Sequence, residues 1–192
     1  MAFAYLLEKL ISYFSAKGVS SNDIPPIVDA FRYKKMAKGE LFAEEGKTSK
    51  YLAFIIKGLF QYFYLKDGKE ITTYITGENS FLVSVISFYT QKPCKEFVRA
   101  LTDAELLMLH YNDLTKLKTS NEGFRTFYIE ALESLVVGMD ETRSNFITLT
   151  AEERYAVLMK EEPALLKQVP LQYLASLLGI TPRHLSRIRN NF

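Results

Sequence analysis

The residues with the most specific chemistry lie in the stretch Thr181-Pro182-Arg183-His184-Leu185-Ser186-Arg187-Ile188-Arg189-Asn190. Arg183 and Arg187 stand four apart, so on a helix they share one face. Guanidinium groups at that spacing suit phosphate oxygens or base edges. His184, Ser186 and Asn190 are further polar groups available to solvent on the same helix. Thr181 and Pro182 form a helix start, a hydroxyl cap followed by a residue whose missing N–H costs nothing at the first position. The cap and the backbone amides beside it can hold a phosphate. No acidic residue follows Glu162. The chemistry on offer is recognition of an anionic polymer rather than bond making.

Other chemistries find little support. The chain has two histidines, His110 and His184, in different regions. A metalloenzyme of the cupin kind needs several clustered histidine ligands. No enzyme, metal or cofactor is therefore expected. His110 follows Leu109 at the end of a strand-like run and reads as a local hydrogen-bonding group. Cys94, the single cysteine, excludes an internal disulfide and a four-thiolate iron–sulfur site within one chain. It reads as a small hydrophobe; Lys92 and Lys95 would lower its pKa were it exposed, which is the redox-switch alternative. Formal net charge is only +2 over 192 residues, so any nucleic-acid contact must come from a local patch. With 48% hydrophobic residues the chain can bury a real core. Nothing is apolar for long enough to span a bilayer, and the expected location is the cytoplasm.

The arginines need elements to hold them. Before them, Leu171, Leu174, Leu177 and Leu178 recur at helical spacing. Ala175 leaves room for a crossing helix, Gly179 ends the first helix, and Ile180 plugs the corner. Leu185 and Ile188 turn the second helix inward. This is the pattern of a helix-turn-helix whose second helix enters the DNA major groove.

Upstream, Phe3, Leu6, Leu7, Leu10, Ile11 and Phe14 predict an amphipathic helix over 3–17. A short second helix carries Ile24, Ile27, Val28 and Phe31. From 31 to 110, glycines separate short β-type runs: 40–43, 51–56, 59–65, 70–76, 97–101 and 105–109. Lys66-Asp67-Gly68-Lys69 predicts a hairpin turn. Short, evenly spaced strands suggest a closed barrel or jelly roll. A short helix through Lys118 follows, then a long one reaching Phe146. On the long helix Phe124, Tyr128, Ala131, Leu135 and Gly138 alternate by four and three, a heptad-like seam for a partner helix. Phe127, Leu132 and Met139 lie off that seam, towards the chain's own barrel. Gly138 weakens the helix, as a close backbone approach would explain. Thr150-Ala-Glu-Glu is a capping-box start for a further helix ended at Glu161-Glu162-Pro163.

The expected fold is α+β in three parts: a jelly-roll sensor domain with N-terminal helices over 1–120, a dimerisation helix over 121–147 and a helix-turn-helix domain over 148–192. This order, with Lys38-Gly39-Glu40-Leu41-Phe42-Ala43-Glu44-Glu45-Gly46 and Tyr51-Leu52-Ala53-Phe54-Ile55-Ile56-Lys57-Gly58, resembles the cyclic-AMP receptor protein/FNR family of bacterial transcription regulators. The resemblance implies a sequence-specific DNA-binding regulator. Its implied partners are double-stranded DNA at a near-palindromic site, a second copy of the chain, RNA polymerase and a small-molecule effector of unknown identity.

In many relatives a Gly-Glu pair and a later Arg–Ser pair bind a cyclic nucleotide. Here Val83 and Ser84 stand at the first position, and Cys94 and Lys95 at the second. Val83 brings bulk where backbone should approach a phosphate. Lys95 or Arg99 could supply charge, or both could be surface charges at the barrel mouth. The barrel is therefore not expected to bind cyclic AMP in the usual way, and Phe81, Val83 and Val85 are candidates to fill it. A second functional reading is a sensor or interaction module that acts on a protein partner without binding DNA.

Overall fold

The protein is described by a computed structural model covering residues 2–190, with side chains placed at 6–163 and 166–190. Phe3 lies outside the described side chains. Two N-terminal helices, α1 (Ala2–Ala16) and α2 (Ile24–Asp29), lead into strands β1 (Arg32–Met36), β2 (Leu41–Ala43), β3 (Tyr51–Lys57), β4 (Phe60–Lys66), β5 (Lys69–Thr76) and β6 (Phe81–Leu82). The short helix α3 (Val85–Thr90) precedes β7 (Phe97–Ala100) and β8 (Ala104–His110). Six helices follow: α4 (Tyr111–Ser120), α5 (Glu122–Thr148), α6 (Ala151–Glu161), α7 (Pro163–Gln168), α8 (Leu171–Leu177) and α9 (Pro182–Arg189).

The strands form two four-stranded antiparallel sheets, in the orders β1-β8-β3-β6 and β2-β7-β4-β5. This is the expected jelly roll. The β4–β5 hairpin turns at Asp67 and Gly68, both at positive φ (51° and 72°), the geometry Asp-Gly favours. Two strands are absent from the sequence expectation. Strand β1, Arg-Tyr-Lys-Lys-Met, is an edge strand whose outward lysines hide its period; charged edges of this kind also block edge-to-edge pairing. Strand β6 has only two residues. Helix α7 was also not expected, because Pro163 was read only as the end of α6; Pro is equally at home at a helix's first position.

Among the described residues, three apolar clusters hold the molecule. Inside the sandwich lie Ala53, Ile55, Phe60, Tyr62, Leu82, Val98 and Leu106. Alternate residues of β3 and β8, among them Phe54, Ile56, Leu107 and Leu109, face outward onto α1, α2, α4 and the start of α5. The outer face of the second sheet, through Leu59, Ile75 and Leu101, packs on Tyr155, Leu166, Leu174, Leu185 and Ile188 of the C-terminal helices. Both faces of β3 are covered, which is why its five central residues are all buried and show no apolar alternation.

The long helix differs from expectation in which stripe it leaves open. Phe124 and Tyr128, from the expected seam, are 2% and 8% exposed and belong to the chain's own core, as does Phe127. The outward positions are Ile129, Val136, Met139 and Phe146, each at least half exposed. With Leu132 and Arg143 they alternate by three and four, a heptad seam turned from the expected one. Met139, expected to face the barrel, is on this open stripe. A Cβ on Gly138 would meet nothing within 4 Å in the chain itself.

Candidate functional site

Helices α8 and α9 meet at Gly179, which takes φ +71°. Ala175, wholly buried, lies at the crossing, and its carbonyl accepts from the Ile180 amide at 3.0 Å. Leu174, Leu178, Leu185 and Ile188 lock the pair together. At the start of α9 the Thr181 hydroxyl accepts from the His184 amide at 3.2 Å, and Pro182 occupies the first turn. One face of α9 is thereby fixed inward, so its other residues must point to solvent.

Arg183 and Arg187 are both exposed on that outer face. Among the described residues neither guanidinium makes a hydrogen bond or ion pair. Ser186 turns its hydroxyl onto the Pro182 carbonyl at 3.0 Å, and Asn190 caps the helix end. His184 is already engaged: its Nε2 lies 3.2 Å from Glu152 Oε1 at the start of α6. The Glu152 carboxyl is held below its usual range, first by its own backbone amide and then by His184. The absence of acids in the linear stretch therefore does not carry over to space. Arg189 is tied inward too, its Nε donating to the Tyr155 hydroxyl at 3.3 Å. Two free guanidinium groups one turn apart remain, above a capped helix N-terminus that favours anions.

The barrel cassette is organised in the opposite way. The Tyr62 hydroxyl accepts from the Val83 amide at 3.0 Å and donates to the Val83 carbonyl at 3.2 Å. Burial pushes that phenol's pKa far up, so it stays neutral. The Ser84 hydroxyl donates to Glu96 Oε1 at 2.8 Å. Burial raises the Glu96 carboxyl, partly offset by Ser84. A carboxyl group of the chain thus holds the Ser84 hydroxyl. Cys94 is buried and Lys95 exposed. Arg99 is not at the barrel mouth. It lies on the outer face of the second sheet, paired with Glu70 at 2.6 Å, with Gln61 at 2.8 Å, and stacked over Phe63 at 4.6 Å. Phe81 and Val83 do not fill the barrel either; they pack outward towards the helical face, and Phe60, Tyr62 and Leu82 take the interior.

A cavity of about 440 Å³ opens between α1, the β5–β6 edge and the first half of α5. Its lining is mainly aromatic and aliphatic, including Tyr13, Phe81, Tyr89, Phe127, Tyr128 and Leu132. Nothing in the linear sequence marked it, because its residues come from elements scattered along the chain, from α1 to α5. His110 serves locally, as expected: its Nδ1 accepts from the Asn112 amide at 3.1 Å and caps α4.

Residues 33–121 match the family profile of the cyclic nucleotide-binding domain. This segment is similar to a cyclic nucleotide-binding domain. It runs from the first strand to Asn121, the cap of α5. Around this domain, the chain's fold is that of the Crp/Fnr regulators. FixK2 from Bradyrhizobium japonicum superposes with TM-score 0.69 at 15% identity, over 84% of this chain and 83% of that one. A protein of Eubacterium rectale assigned to the crp/fnr family of transcriptional regulators gives 0.66 at 15% identity, over 91% and 84%. The catabolite activator protein of Thermus thermophilus gives 0.58 at 19% identity, over 91% and 84%. No curated protein sequence matches the chain. Among the described helices none is long and apolar enough to cross a membrane.

Proposed function

We propose that the protein is a sequence-specific transcription regulator that reads duplex DNA with α9, the second helix of a helix-turn-helix. The observation that carries this reading is the pair Arg183 and Arg187, exposed and without a partner among the described residues, beside the Thr181 cap in a Crp/Fnr-type fold. Thr181, Pro182, Arg183, Ser186, Arg187 and Asn190 make up the contact surface, with His184 at its edge. The units are a sensor domain over 1–120, a dimerisation helix over 121–147 and a DNA-binding domain over 148–192.

A second copy of the chain pairs along the open stripe of α5. Four large apolar residues on one exposed helix face support this. Two-fold pairing then demands a near-palindromic site with half-sites about 34 Å apart, one turn of DNA. Cyclic AMP is not the signal in this reading, since Val83 and Ser84 are engaged by Tyr62 and Glu96 and apolar side chains pack the barrel interior. The effector enters the cavity between α1 and α5, whose apolar lining suits an uncharged, partly aromatic molecule. Fluorescence anisotropy with labelled duplex tests the DNA reading. Binding should weaken steeply with salt, and the log–log slope should shrink by roughly one for each phosphate-contacting arginine removed. Binding that is absent even at low salt would overturn the reading.

A further inference from the structure

The joint between α5 and the C-terminal helices is built around one guanidinium. Helix α5 ends at Thr148 and α6 begins at Ala151, so two residues, Leu149 and Thr150, make the corner. A capping box closes it: the Glu153 amide donates to the Thr150 hydroxyl at 3.2 Å, and the Thr150 amide donates to Glu153 Oε2 at 2.8 Å. One residue further on, Arg154 reaches back and across. Its Nη1 donates to the Leu149 carbonyl at 2.6 Å and to the Phe146 carbonyl at 3.4 Å. Its Nη2 donates to the Leu178 carbonyl, at the end of α8, at 2.8 Å. The group lies over the Phe146 ring at 4.7 Å, and its Nε is buried without a partner.

The last carbonyls of a helix lack intrahelical donors and carry partial negative charge. Here the ends of two helices far apart in sequence converge on a single cation. The same Phe146 ring closes the other side of the turn: a Cβ on Gly179 would lie 3.2 Å from its Cζ. Helix α9 shares its buried side chains with α8, so the two move as one body. Whatever fixes α8 against α5 therefore fixes the direction of α9 relative to the dimer axis.

We propose that Arg154 is a positioning residue that sets the angle between the long helix and the reading helix, and through it the half-site spacing the protein accepts. The proposal rests on the DNA-binding reading above. A planar fork can bridge carbonyls on two helices; a lysine ammonium supplies the charge without the reach of both arms. One base pair added between half-sites both displaces and rotates the second half-site, so a stiff joint must reject it.

The test pairs two measurements on the full chain. In the first, wild type, Arg154→Gln and Arg154→Lys bind duplexes carrying the selected half-sites at the optimal spacing and at one base pair more or less. Wild type should prefer the optimum by at least about tenfold, the order of one mismatched base pair. Both variants should lose most of that preference while keeping their affinity for a single half-site. In the second, nitroxide labels on Glu141 of α5 and Gln172 of α8, in chains diluted with unlabelled protein, should give one narrow distance in wild type and a broad distribution in both variants. Phe146→Ala, which leaves the three carbonyl bonds in place, serves if Arg154→Gln fails to fold, and should show a smaller broadening. Unchanged spacing preference and an unchanged distance in folded variants would overturn the proposal. If wild type binds no duplex, the DNA reading falls and the spacing role with it, while the distance measurement still reports whether Arg154 holds the joint.

Discussion

The cassette at α3 and the outer face of α9 treat their polar groups in opposite ways. At the cassette, the Val83 amide has the Tyr62 hydroxyl and the Ser84 hydroxyl has Glu96. Both of these polar atoms are matched from inside the chain. On α9 the inward groups are matched in the same manner, yet Arg183 and Arg187 are left facing solvent. Matched groups give an external ligand nothing to replace; unmatched cations on a rigid, capped helix do. The lesson is that the fold's name does not locate the working chemistry. In the segment similar to a cyclic nucleotide-binding domain, Val83 and Ser84 are matched within the chain, and in the proposed reading recognition falls to α9.

The largest expected effect comes from removing the unmatched side. Arg183→Ala and Arg187→Ala should each cost about 1–3 kcal/mol of duplex affinity, and the double variant should bind no sequence selectively. Each single variant should relax the preference at one base position if its arginine reads a base, or weaken all sequences alike if it holds a phosphate. Anisotropy titrations at two salt concentrations separate the two roles.

Next is the doubling of that face by a second copy. Val136, 66% exposed at the middle of the open stripe, should tolerate glutamate in a monomer. Val136→Glu should therefore leave the fold intact by circular dichroism and yield a monomer in light scattering at micromolar concentration. Binding to the near-palindromic duplex should drop to that of a single half-site.

Opening the matched side should harm stability without creating a ligand site. Tyr62→Phe keeps the ring and leaves the Val83 amide and carbonyl unpaired, at a cost of about 1–3 kcal/mol in urea denaturation. Calorimetric titration with cyclic AMP should show no binding to wild type or to this variant. Micromolar binding to wild type would erase the contrast between the two regions.

The smallest effect concerns pH. Burial raises the Glu96 carboxyl above its value in the unfolded chain. The folded state then holds a proton that the unfolded state has released, so stability falls as pH rises from the unfolded carboxylate range through the raised folded value. Glu96→Gln should remove that decline. Melting temperatures of variant and wild type should converge at acid pH and separate, variant higher, towards neutrality.

Much of this contrast was legible in the residues. Thr181-Pro182 and Gly179 announce their turn and cap because those roles depend on local chemistry alone. Asp67-Gly68 did the same for the hairpin. The departure from the Gly-Glu and Arg–Ser pairs was also visible, but its replacement was not, since Tyr62 lies 21 residues from Val83 and only the barrel's closure joins them. Arg99 was misplaced for a simple reason: period two fixes that alternate residues face opposite sides, not which side is the interior. The long helix's open stripe was misread because both of its faces are apolar near the start, and periodicity cannot say which face meets the barrel. The His184–Glu152 contact escaped notice because its partners sit on different helices, 32 residues apart.

The central claim is that α9 reads duplex DNA, and selection of bound sequences from a random duplex library tests it most directly. The account predicts enrichment of a near-palindrome whose half-sites lie one helical turn apart, lost when Arg183 and Arg187 are both replaced by alanine. A library that enriches no sequence, with no duplex binding at low salt by a folded wild-type dimer, would contradict it.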